Sequence, residues 1–334
     1  MPHNENAMKL NLYADRFNRD RTVWCSRELI GMMLAGEPLF DRLLLPEHEF
    51  LPKWVAKGSR KHALFLFFAA WLSRRGNSAT ELYRLSARLI TLHPWLIDPA
   101  HPRSQSPRNR RILRQLLPRG NNTKFGDPVE WWLDALRILR EKYGSDPRKI
   151  FEGLPVGEGW QEVKAELLRR HDEFQGIGPK ITALNVGQFM REVFTEDTPY
   201  WNTVRNVPFF TADSHTLRFM RMYGLITQWK SDKVKKLAPV VSEYVSQLCI
   251  EEGISPTHLF QAMWLVGAKV CDRMRQQPDQ QRARAYCHAC CPAVPFCLGV
   301  VPVHTLLATD PSERTRYLAH LRFDEFRPHA DLVP

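Results

Sequence analysis

A chain of 334 residues, 44% of them hydrophobic, is long and apolar enough to enclose one large core or two smaller ones. A formal net charge of +11 favours a polyanionic partner, and the polar, charged opening MPHNENAMKLNLYADRFNRD is no secretory signal. The most apolar run, Ala63 to Leu72, is ten residues, about half of what a membrane-crossing helix needs; the chain is expected to be cytoplasmic, nucleoid-associated if bacterial, with no membrane partner.

Helical periodicity dominates. A preface of 59 residues carries its own helix around Ser26 to Ala35. Apolar residues then recur at helical spacing over 60–75, 79–93, 128–143, 160–171, 179–194, 214–223, 232–250 and 256–275. Asp127-Pro128, Asp213-Ser214 and Ser255-Pro256 are helix-start signals, a capping side chain followed by a residue suited to the first turn. Alternating strands are scarce, so the pattern predicts an all-α protein. Connections are expected at 94–126, 195–211 and 276–286, with a short helical stretch near Ser312 to Leu321. The layout predicts two helical lobes. A middle lobe spans 60–208, a second lobe spans 209–300 with the 1–59 extension packed on it, and a tail runs from 301 to 334.

Basic charge is concentrated. Arg103, Arg108, Arg110, Arg111, Arg114, Arg119 and Lys124 fall in one stretch that holds no acid, which reads either as a solvated loop or as a strip that neutralises phosphates.

Phe174-Gln175-Gly176-Ile177-Gly178-Pro179-Lys180 links a charged helix to an apolar one. Glycines two apart let the backbone turn tightly and leave amides facing outward, and Pro179 starts a helix whose positive end lies at the same spot. Such a turn binds phosphate without reading sequence; it also serves as a plain helix–helix connection. Lys180 stands in the first turn of that helix, where a further cation is disfavoured and a neutral amine is a usable nucleophile. Asp213 opens a later helix as an N-cap, a position that holds a carboxylate rigidly.

Seven cysteines is an odd number, and five of them crowd into 271–297, an arrangement that suits metal better than disulfides in an intracellular chain. Cys271, Cys287, Cys290 and Cys297 supply four thiolates, enough for an iron–sulfur cube or for tetrahedral zinc. Cys291 is able to replace Cys290, leaving five residues before Cys297, while Cys25 and Cys249 read as core thiols.

These motifs together resemble the helix-hairpin-helix (HhH-GPD) DNA glycosylase superfamily, in particular its endonuclease III-like branch. FQGIGPKITA at 174–183 resembles the family's hairpin and sets Lys180 on the catalytic lysine. ADSHTLRFMRMYGL at 212–225 resembles the helix opening that carries the catalytic aspartate, here Asp213. Gly267 and Cys271, then Cys287, Cys290 and Cys297, resemble the cluster loop. The resemblance covers about 60–300, with the firm motifs at 174–225 and 264–297; Gln175 replaces the hairpin proline, and the 33 positions from Lys180 to Asp213 exceed the usual gap.

The resemblance implies an HhH-GPD fold with a helix-hairpin-helix at about 165–190 in a helical-barrel lobe and a structural [4Fe–4S] cluster in a C-terminal loop. It implies a probe of double-stranded DNA, monomeric, that excises a damaged or modified base and nicks the strand. Gly176, Ile177, Gly178 and His215 would contact DNA, Arg75 would fill the vacated base stack, and Lys180 and Asp213 would be catalytic. The alternatives are a non-catalytic or water-using helix-hairpin-helix DNA binder and a glycosylase for an unusual base. Trp131, Trp132, Tyr200 and Trp201 are aromatic candidates for base stacking or for the core.

Overall fold

A computed structural model of the protein describes residues 17–71, 79–117, 127–155, 159–198, 201–205, 207–226, 234–274, 276–278, 280–294 and 297. The longer helices are α1 Arg19–Leu34, α2 Arg60–Trp71, α3 Ala79–Leu92, α4 Arg108–Leu116, α5 Pro128–Tyr143 and α6 Trp160–Asp172. They continue with α7 Pro179–Glu192, α8 Ser214–Met222, α9 Val234–Glu252, α10 Pro256–Leu265 and α11 Gln280–Cys290. Among the described residues no strand forms, and the one β-type contact is an isolated bridge from Phe17 to Ile226. The protein is all-α, and no described helix is long and apolar enough to cross a membrane.

The start signals act as their chemistry dictates. Asp127 Oδ1 accepts from the Val129 amide at 2.9 Å, and Ser255 Oγ from His258 at 3.5 Å. α5 ends where Gly144 turns left-handed at φ 55°, a conformation that costs other residues strain.

The chain divides into two compact units, Leu45–Phe209 and Met1–Leu44 with Phe210–Pro334. In Leu45–Phe209, α2 is the central element: every residue from His62 to Trp71 is buried. Its apolar character on all sides is that of a helix enclosed by others, and α3 and α7 pack on it. α7 runs antiparallel to α2, since Trp71 Nε1 donates to the Gln175 carbonyl just before α7, while Gly58, ahead of α2, faces the Val193 carbonyl just after it. The aromatic core includes Phe68 on Trp132 at 4.3 Å and Phe151 on Phe189 at 5.2 Å.

Residues 45–59, expected to belong to the preface, fall in this unit. Glu47 pairs with Arg191 at 3.1 Å with both side chains buried, His48 lies 2.7 Å from Glu192, and Arg148 donates to the Gly58 carbonyl at 3.0 Å.

In the other unit, α1 is tied to the chain after α8. Asn18 donates to the Leu225 carbonyl, Arg21 Nε to the Tyr223 carbonyl at 2.6 Å, and Phe17 stacks on Tyr244. Several elements depart from the sequence pattern. α4 and the short helix Trp201–Arg205 form inside stretches expected to be connections, and α11 begins inside one; α4 buries Leu113 on one face while its arginines fill the other, Trp201–Arg205 buries Val204, and α11 buries Ala283 and Cys287. The helix expected over 256–275 stops at Leu265, and Val266–Cys271 follows as a π-helical turn before Asp272–Met274. The expected helix near 312–321 lies outside the described residues.

Candidate active site and cysteine centre

The hairpin is a tight turn with its side chains anchored inward. The Ile177 amide donates to the Phe174 carbonyl at 3.0 Å, and Gly176 at the third position has φ 81°, the geometry that demands glycine. Phe174 is fully buried between Phe67 and Tyr143, and Ile177 is 3% exposed. Ile177, expected to contact DNA, has its side chain buried and its amide committed to Phe174. Gly178 caps α7 without a capping side chain, and a Cβ placed on it would meet nothing within 4 Å.

Among the described residues, the amides of Gly176, Gly178 and Lys180 reach no protein acceptor. Three unpaired donors thus lie within five residues at the positive end of a fourteen-residue helix, where an anion is favoured. Lys180 is exposed in the same first turn.

The basic stretch ahead of α5 is partly neutralised. Arg110 pairs with Glu130 at 2.6 Å, Arg114 approaches Asp127 at 3.7 Å, and Arg103 lies over Trp95. Arg108 and Arg111 stay exposed on α4, while Arg119 and Lys124 lie outside the described residues. Trp132 is wholly buried, donating to the Leu96 carbonyl, and Trp131 and Trp201 pack on the core. Arg75 and Tyr200 lie outside the described residues.

In the second unit, Asp213 is the N-cap of α8 in a reciprocal capping box. Its Oδ1 accepts from the His215 and Thr216 amides, both at 2.9 Å, and its own amide donates to Thr216 Oγ1 at 2.8 Å. One carboxylate oxygen is pinned; Oδ2 has no protein partner among the described residues, and Asp213 as a whole is half-buried. Such a carboxylate is oriented and keeps one oxygen for substrate.

α8 is held along its length by the segment that carries the cysteines. A Cβ on Gly267 would press on the His215 backbone, 2.9 Å from its carbonyl carbon, so glycine lets the π-turn meet α8 backbone to backbone. Asp272, next to Cys271, pairs with Arg218 and lies 2.9 Å from His215 Nδ1. His215, expected to contact DNA, is engaged with Asp272 and edge-on to Trp264.

At the far end of α8 the thiols gather: Tyr223 Oη and Cys291 Sγ are 3.5 Å apart, and Cys297 Sγ lies 4.0 Å from the Met222 carbonyl. No disulfide joins any of the seven cysteines, and Cys271, Cys287, Cys291 and Cys297 are buried, whereas Cys290 is half-buried. Burial, and then the neighbouring thiols, push the Cys271 and Cys287 thiols up, so both sit neutral. Among the described residues, no three His, Cys, Asp or Glu side chains are grouped as ligands of one metal ion. Cys271, Cys287, Cys291 and Cys297 are joined by no disulfide, but among the described residues they form no ligand group for the expected iron–sulfur cluster.

Sequence reasoning missed Tyr223, Arg218 and Asp272. Arg218 and Tyr223 lie inside the 212–225 motif, but nothing local pairs them with residues more than fifty positions away. No family model, no curated protein and no solved structure matches the chain.

Proposed function

We propose that the protein is a base-excision DNA glycosylase with lyase activity, acting on double-stranded DNA that carries a damaged or modified base. The observation that carries this reading is the coincidence, within five residues of the hairpin and the start of α7, of three unpaired amides and an exposed lysine. The amides suit a backbone phosphate, which positions DNA without reading it. The exposed Arg108 and Arg111 add sequence-independent attraction.

In this reading the target nucleotide leaves the stack and Lys180 attacks its C1′ as the neutral amine. The N-glycosidic bond breaks, and the base departs with the bonding pair and takes up a proton. Asp213, pinned through Oδ1, offers Oδ2 to the positive charge that develops on the sugar. The sugar ring opens to a Schiff base on Lys180; loss of a C2′ proton then expels the 3′ phosphate, and water releases the enzyme. Cys271, Cys287 and Cys297, with Cys290 or Cys291, would hold a [4Fe–4S] cluster, which when bound cross-links the chain beyond the end of α8.

Borohydride trapping tests the proposal, with duplex DNA containing an abasic site and wild type beside Lys180→Ala. A covalent adduct with wild type alone is expected. Tight binding without an adduct overturns the lyase chemistry and leaves a water-using glycosylase or a non-catalytic binder.

A further inference from the structure

We propose that a surface cavity at the start of α2 holds one unstacked nucleotide of single-stranded DNA, its base against Trp54 and its phosphate on Lys61. The site goes beyond the excision chemistry and lies apart from it. Arg60 and Lys61 begin α2, whereas Trp71 at its other end reaches the hairpin through the Gln175 carbonyl. Twelve residues of helix, about 18 Å, separate the two places.

Shape and lining set the size and kind of group that fits. The cavity is about 200 Å³, smaller than the roughly 300–1,000 Å³ of a site for a drug-sized ligand, so it suits a single ring system. Its floor is apolar and closed: Leu64 and Ile97 are fully buried and Ile90 nearly so. On its rim Trp54 stands 51% exposed, while Trp71 and Trp132 in the same unit are enclosed. An indole face left in water beside an apolar floor is a platform on which any base can stack.

Charge selects the partner. Lys61 Nζ lies 4.9 Å from the centre of the Trp54 ring, over the face a base would take, and its flexible stem lets the ammonium swing aside to a phosphate. Lys53, Lys57 and Lys61 are all exposed, and none pairs with a carboxylate among the described residues. The stretch 51–61 holds these three lysines and Arg60 and no acid. Asp98, which also lines the cavity, does not oppose an anion. Its two oxygens accept from Arg60, both at 2.7 Å, and Oδ1 accepts from the Ala100 amide as well. Several cations along one short stretch match a strand with a phosphate at every step better than a peptide with a single carboxylate.

The test is fluorescence anisotropy of a labelled oligothymidylate titrated with wild type, Trp54→Ala, Trp54→Phe and Lys61→Ala. Trp54→Ala is expected to weaken binding about tenfold, the loss of one stacked base, and Trp54→Phe to recover most of it. Lys61→Ala is expected to lower the salt dependence by about one counterion, a readout that stands even where Trp54→Ala folds poorly. Wild-type affinity in Trp54→Ala together with wild-type salt dependence in Lys61→Ala overturns the proposal. So does a tyrosine-bearing acidic peptide that binds through Trp54 while oligothymidylate binding ignores that residue, which would make the partner a protein. The borohydride adduct is measured separately: its absence in wild type sinks the Lys180 chemistry and leaves the oligothymidylate result standing.

Discussion

Replacing Gly267 by alanine puts a methyl group where two backbones already touch. The new Cβ would stand 2.9 Å from the His215 carbonyl carbon and 3.4 Å from its Cα, with the carbonyl oxygen closer still. None of these atoms can swing aside as a side-chain tip would, so the π-turn and α8 must separate by a large fraction of an ångström. Overpacking of this kind costs about 1–3 kcal/mol, and a rigid backbone neighbour puts Gly267→Ala near the top of that range. The separation also loosens Asp272 from His215 and Arg218. Urea unfolding of purified protein at neutral pH measures the loss directly. The shift reaches Asp213 as well, two residues before His215 on the same capping box, so turnover is expected to fall more than the folded fraction does. A Gly267→Ala variant within about 0.5 kcal/mol of wild type would refute the close approach, since ordinary surface changes stay inside that window.

Gly178→Ala is the contrasting case: nothing lies within 4 Å of the added carbon, so stability is expected to be unchanged while duplex DNA affinity drops several-fold, read by fluorescence anisotropy; equal affinity would remove the phosphate cradle from the argument. Acid should destabilise the protein through His171, which is fully buried with its Nε2 unpartnered and its pKa pushed down to about 4 by burial. Because the folded-state value lies below the unfolded 6.5, this stability is complete above pH 6.5 and drains away as pH falls toward 4. The loss is about 2 kcal/mol between pH 7 and pH 5. Urea midpoints across that interval should fall for wild type and flatten for His171→Leu; parallel curves would assign the acid sensitivity elsewhere.

What the sequence made legible is what local chemistry dictates. Gly176, Gly178 and Pro179 leave the hairpin little choice, because a left-handed third position and a helix start without a cap side chain follow from those residue types alone. Asp213 was readable as an N-cap for the same reason. The cysteine spacing was readable only to a tie: positions 290 and 291 lie three and four residues after Cys287, and both face the same side of a helix within one turn. Only long-range contacts distinguish them: Tyr223, sixty-eight positions away, sets its hydroxyl 3.5 Å from the buried Cys291 sulfur, while Cys290 is half-buried. The Glu47–Arg191 pair moved residues 45–59 from one unit to the other in the same way, since a short stretch of polar chain carries no signal of where its charge will find an opposite. The π-turn belongs with these: a run of Leu, Val, Gly and Ala reads as unbroken helix until the closeness of His215 makes an extra residue per turn the better fit. One pattern connects these cases. α8 is nine residues, roughly 13 Å of helix, with the Asp213 carboxylate at its start and the thiols at its end. Its middle is gripped through Gly267 and Asp272 by the segment that supplies Cys271. The sequence spells the two ends in motifs; the rigid link between them is written only in packing.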